Sequence, residues 1–138
     1  MLPQIVDART GVRIGRPVWG WFYGWSPDSR VFATVADDSD CGPAVLIYRA
    51  SDAEYLFCAT ETRDVAFNPD STALAYLEKR FDVPPRNAGE AAYASNDVYL
   101  MDLEDGSERL LLRDVQGFLC PHWSPDGRWL FVSQCGGL

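Results

Sequence analysis

The phrase Trp-Ser-Pro-Asp at positions 25–28 returns as Phe-Asn-Pro-Asp at 67–70 and again as Trp-Ser-Pro-Asp at 123–126. Each copy continues with Ser or Gly, two variable residues and an apolar pair, so the three copies form an internal repeat that any fold for this chain must accommodate. The phrase suits a tight hairpin turn. Ser or Asn caps the first corner, Pro fixes φ near −65° at the second, and Asp tolerates the third. Gly127 then supplies a positive φ that lets two antiparallel strands continue. Ser29 and Ser71 stand where Gly127 does, and a left-handed conformation there costs about 1 kcal/mol each.

The runs after the turns, Val31 to Val35, Ala73 to Leu77 and Trp129 to Val132, are apolar and rich in β-formers without clean alternation. That pattern predicts strands buried on both faces. A second element recurs between the phrases: Ile5 to Gly11, Val45 to Asp52 and Val98 to Gly106 each carry a β-rich run into a turn. Each leads to a further strand, expected at Val12 to Val18, Tyr55 to Ala59 and Glu108 to Arg113. The repeating unit is therefore four short strands, A to D, with the Pro-Asp turn joining A to B. Glu78 to Arg80 and Ala88 to Ala94 are the only stretches with a helical reading.

Four-stranded repeats with a turn signature read as the blades of a β-propeller. The three phrases resemble those of the TolB-like, WD40-like Pro-Asp six-bladed propellers, which also occur as propeller domains of prolyl-oligopeptidase-type enzymes. The resemblance implies that Trp25, Pro27, Asp28, Phe67, Pro69, Asp70, Trp123, Pro125, Asp126 and Gly127 are structural. It carries over no catalytic residue. The fold class expected is all-β, a single half-propeller domain over residues 1–138 in the order C-D, A-B-C-D, A-B-C-D, A-B.

That phase begins and ends in mid-blade, and three blades' worth of strands is too few for a closed ring. From Trp25 to the C-D turn residue Asp52 is 27 positions. Trp123 to Leu138 together with Met1 to Gly11 supplies a matching 26. A head-to-tail homodimer would thus close six blades through two composite ones, and a trimer would make nine. Six is favoured because the resembling family has six. The competing reading is that the chain is half of a longer propeller.

Composition narrows the function classes. A net charge of −8 lacks the clustered Lys and Arg that nucleic acid requires. No run approaches the length of a membrane-spanning helix, and the N-terminus lacks the marks of a secretory signal, so the expected location is cytoplasmic, or periplasmic if the chain is a fragment. Cys41, Cys58, Cys120 and Cys135 show no CxxC spacing and are expected as free thiols, Cys58 and Cys120 packing as small hydrophobes.

The sole histidine, His122, flanks Trp123 and reads as structural rather than as a base or metal ligand. There is no G-x-S-x-G nucleophile elbow. Asp37, Asp38 and Asp40 lack the spacing of a calcium loop and read as a solvated B-C loop. The long B-C connection around residues 80–96 would share one rim with that loop and with the D-A segments. The candidate partner or ligand-binding face is therefore Trp19, Trp21, Asp37, Asp38, Asp40, Asp64, Arg80, Arg86, Tyr93 and Gln116, aromatic and charged groups of the kind interfaces use. These readings make the chain a non-catalytic binding module for a protein, peptide or small ligand, with no cofactor and no metal. A peptidase-like hydrolase's accessory domain and a purely structural assembly are the alternatives.

Overall fold

The computed structural model describes residues 2–62, 64–80, 95–117 and 119–134. Twelve strands and four antiparallel sheets are found among them. β1 (Ile5–Val6) and β2 (Arg13–Ile14) form a hairpin; β3 (Trp21–Trp25), β4 (Val31–Ser39), β5 (Gly42–Arg49) and β6 (Tyr55–Thr60) form a meander in chain order. β7 (Val65–Phe67), β8 (Ala73–Arg80), β9 (Ser95–Asp102) and β10 (Glu108–Gln116) repeat that meander, and β11 (Leu119–Trp123) and β12 (Leu130–Gln134) form a closing hairpin. The order is the expected C-D, A-B-C-D, A-B-C-D, A-B. The chain divides into two compact units, residues 1–63 and 64–138.

The three Pro-Asp turns are built alike. Ser29, Ser71 and Gly127 adopt φ of 64°, 62° and 73°, so the two serines take the same left-handed conformation as the glycine. The side-chain oxygen at the first corner then reaches across the hairpin. Ser26 Oγ accepts from Val31 N at 3.1 Å, Asn68 Oδ1 from Ala73 N at 2.9 Å, and Ser124 Oγ from Trp129 N at 2.9 Å. The Asp side chain two residues on accepts a backbone N–H as well: Arg30 for Asp28, Thr72 for Asp70 and Arg128 for Asp126. The outer turns also repeat. Gly11 N donates to Asp7 O and Gly106 N to Asp102 O, both at 2.8 Å, while the two Asp side chains cap the turns.

In the first unit, Ala44 to Tyr48 are all buried, so both faces of β5 are covered; Val45 and Ile47 are 0% exposed. One face carries an aromatic ladder across all four strands. Trp25 meets Phe32 at 5.3 Å, Phe32 stacks on Tyr48 at 5.4 Å, and Tyr48 meets Tyr55 edge-on at 5.9 Å. Ile5 of β1 and Val18 pack on this face with Phe32, Ala36, Ala44 and Leu46. In the second unit Tyr76 stacks on its register partner Tyr99 at 5.5 Å and donates to Glu108 at 2.5 Å. The Trp123 indole N–H donates to Ala66 O, tying β11 to β7.

Three expectations are corrected. The D strand foreseen at Val12 to Val18 is only β2, because Gly15 turns at φ 64° and Pro17 has no N–H for a ladder. Glu78 to Arg80 is strand rather than helix, held extended by pairing with Asp97, Asn96 and Ser95; residues 88–94 lie outside the described residues. The cysteines are not free thiols: Cys41 and Cys58 form a disulfide, and Cys120 is also disulfide-bonded.

The turns yield two predictions. Ser29→Gly relieves the left-handed strain at an exposed position and should raise the unfolding free energy by about 0.5–1 kcal/mol, with Gly127→Ala lowering it by a similar amount in urea melts. The carboxyls of Asp28, Asp70 and Asp126 lie below the usual carboxylate range, held there first by the Arg30 backbone N–H, the Thr72 hydroxyl and the Ser124 hydroxyl respectively. Their stabilising contribution is therefore present above the unfolded value near pH 4 and lost as pH falls through the lower folded values. The urea midpoint should drop between about pH 5 and pH 2, and Asp126→Asn should flatten that dependence.

Candidate functional site

Trp19 sits in the connection between β2 and β3, where two hydrogen bonds fix its backbone. Its N–H donates to the Tyr48 hydroxyl at 3.1 Å, and its carbonyl accepts from Thr34 Oγ1 at 2.6 Å. Thr34 and Tyr48 are buried, so the bonds anchor the loop to the middle of the sheet. Gly20 follows with φ +91°, and a Cβ there would lie 2.6 Å from Val35 O. Only glycine allows the chain to pass so close between Trp19 and Trp21.

The β4–β5 tip faces this loop. Val31 to Ala36 pair regularly with β5, then the register shifts between Ala36 and Ser39. Asp37 and Asp38 consequently belong to a bulged strand end rather than to an open loop. Ser39 Oγ donates to Gly42 O at 2.7 Å and accepts from Cys41 N, closing the tip. The Cys41–Cys58 bridge then fastens the tip to β6. Seventeen residues separate the two cysteines, but the β5–β6 pairing sets Cys58 opposite Leu46 on the face toward which Cys41 folds.

Between loop and tip lies a cavity of 480 Å³ lined by Trp19, Asp38, Ser39, Asp40, Cys41, Leu46, Tyr48 and Tyr55. A neighbouring cavity of 310 Å³ shares Trp19 and Asp38 and adds Gly20 and Trp21. Both volumes are in the range of small-ligand sites. The Tyr55 phenol is held above its ordinary value by burial first, then by the nearby Tyr48 and the charge of Asp40. It also lies 3.5 Å from Cys41 Sγ.

Of the residues expected on the rim, the first unit brings together Trp19, Trp21, Asp38 and Asp40 around these cavities, with Asp37 beside them in β4. The others belong to the second unit, where Asp64 immediately precedes β7 and Arg80 ends β8 with its guanidinium 3.7 Å from Asp97. Gln116 ends β10 opposite Ser95. Arg86 and Tyr93 lie outside the described residues. His122 is exposed on β11, opposite Phe131. Among the described residues no three His, Cys, Asp or Glu side chains converge as metal ligands. Sequence reasoning missed Tyr48, Tyr55 and the disulfide. The signal for the tyrosines was their place at the C-D turn, where they pair directly.

No family model matches the chain, and no curated protein does. Solved structures are similar in fold. Hydrazine synthase of Kuenenia stuttgartiensis superposes with a TM-score of 0.58 at 19% identity, over 94% of this chain and 42% of that one. A TolB-like protein of Agrobacterium tumefaciens gives 0.59 at 21% identity, over 89% and 42%. A eukaryotic initiation factor gives 0.53 at 17% identity, over 94% and 33%. The chain is a partial β-propeller and spans less than half the length of these structures.

The bridge closes a loop whose entropy cost in the unfolded chain is removed by cross-linking. Cys41→Ser with Cys58→Ser should lower the unfolding free energy by about 3 kcal/mol, measured by urea melts against the oxidised parent. Amide exchange at residues 38–41 should speed up in the same variant as the tip loosens.

Proposed function

From the partial propeller fold we propose a non-catalytic binding module of the TolB-like type, which completes its ring with a second copy and receives a partner or ligand at the rim containing the Trp19 cavity. The observation that carries the assembly is the pair of lone hairpins. β1–β2 has the place of strands C and D and β11–β12 that of A and B, and each is a two-stranded sheet among the described residues. Isolated two-stranded hairpins are marginal in water, and each offers an open edge. Beside the first hairpin, Phe22 and Trp25 of β3 are half exposed around a 140 Å³ gap also lined by Ile5 and Phe32. On and beside the second, Trp129 and Phe131 are 63% and 69% exposed. An A-B hairpin from another copy would supply the missing inner strands of the first blade and bury both apolar sets.

Support for binding over catalysis comes from the sequence, which has no G-x-S-x-G nucleophile elbow. The Cys41–Cys58 bridge favours an oxidising compartment over the cytoplasm as the working location. A second reading has its own support. Because the matched structures are more than twice as long, further blades of a longer polypeptide would complete the ring, including that of a hydrolase's accessory domain.

Light scattering separates the two. A mass of twice 15.4 kDa is expected for the six-bladed ring, and three times for nine blades. A well-folded monomer would favour the longer polypeptide. Val6→Lys and Val132→Lys, in the two strands that would pair across the junction, should each convert the dimer to a monomer by setting an unpaired charge in the composite sheet. Unchanged mass in both variants would refute that junction.

A further inference from the structure

The 480 Å³ cavity has a composition that selects its occupant. Its floor is Leu46 and the ring of Tyr48, both buried, and its walls include the half-exposed rings of Trp19 and Tyr55. Asp38 and Asp40 supply the acidic side chains. Among the described residues, no Lys, Arg or His lines this cavity or the adjoining one. The Tyr48 ring is set before any ligand arrives, because its hydroxyl accepts from the Trp19 backbone N–H and the ring lies between those of Phe32 and Tyr55. The tip that carries Asp38 and Asp40 is closed by the Ser39–Gly42 hydrogen bond and fastened by the Cys41–Cys58 bridge.

Aromatic faces attract cations through their quadrupole, most strongly where water is displaced. An anionic ligand would meet two carboxylates with no counter-charge, and a purely apolar one would leave those carboxylates partly desolvated without compensation. An organic cation satisfies both sets of groups. The net charge of −8 adds a field that draws such a ligand in.

We propose that this cavity binds an organic cation, an alkylammonium or guanidinium group, with Trp19, Tyr48 and Tyr55 enclosing it and Asp38 and Asp40 as counter-charge. This deepens the binding-module reading and rests on it. The chemistry is shared by a free amine and by the Lys or Arg side chain of a peptide, and the volume suits either a small molecule or one such side chain.

The test titrates the intact oxidised chain with choline and with its neutral isostere 3,3-dimethyl-1-butanol, following the Trp19 indole and Tyr55 ring resonances by NMR. Choline should shift both and bind at least about tenfold more tightly than the alcohol. Affinity should fall several-fold between low and high salt, since the rim is solvent-accessible. Asp38→Asn with Asp40→Asn should lower the choline affinity about tenfold while leaving the circular dichroism and the scattering mass unchanged. Agmatine and the peptide acetyl-Gly-Arg-Gly-amide form parallel arms. Tighter binding of the peptide assigns the cation to a polypeptide partner, and tighter binding of agmatine assigns it to a small molecule. Equal affinity for choline and the alcohol, or no loss in the double variant, overturns the cation site. Shifts of the same resonances by neutral or acidic peptides alone would overturn it too, yet leave the binding-module reading standing. No shift with any probe also overturns the cation site, and the binding-module reading then stands or falls on the scattering mass.

Discussion

A sheet whose middle strands are apolar on both faces cannot stand alone in water. β5 buries Ala44, Leu46 and Tyr48 on one side and Val45 and Ile47 on the other, and Leu74 to Leu77 of β8 are buried without a break. Burial at about 25 cal/mol per Å² makes each covered face a major stabilising term, and each uncovered face a comparable liability. Each sheet therefore needs apolar cover on both of its faces. Where such cover is lacking, large aromatic side chains stay exposed: Phe22 and Trp25 in the first unit, Trp129 and Phe131 in the second.

The two four-stranded sheets share one hairpin geometry, and the Pro-Asp turns provide it. Each sets hairpin length through a left-handed third corner and a side chain that satisfies the backbone across it. The strain at Ser29 and Ser71 is small beside the packing it permits. With hairpin geometry fixed at the inner end of the sheet, variation is left to the opposite end. There the β4–β5 tip bulges, the β2–β3 connection carries two tryptophans, and a cavity opens between them.

The cavity shows how a site arises from groups that individually have structural work. Tyr48 belongs to the aromatic ladder and, through its hydroxyl, also fixes Trp19. Cys41 closes a hairpin tip and, through its bridge to Cys58, keeps Asp38 and Asp40 over the opening. The rigidity needed by the fold and the preorganisation useful to a ligand are the same interactions.

Much of this was legible in the residues alone. The repeated phrase, the both-sided apolar runs and the turn residues determined four-stranded units in the order observed, and even the left-handed serines, because those features depend on neighbours within a few positions. Tertiary structure decided what depends on distant ones. Cys41 and Cys58, 17 residues apart, read as free thiols, and meet only because β5 pairs with β6 and the tip bends over that sheet. Asp37 and Asp38 read as solvated loop; they are exposed, but lie in a bulge at the end of β4, between the paired Ala36 and Ser39. Trp19 and Trp21 read as rim residues; that Trp19 joins Tyr48, Tyr55 and two carboxylates around one cavity was set by register and by Gly20, where an added Cβ would lie 2.6 Å from the Val35 carbonyl, which no local pattern encodes.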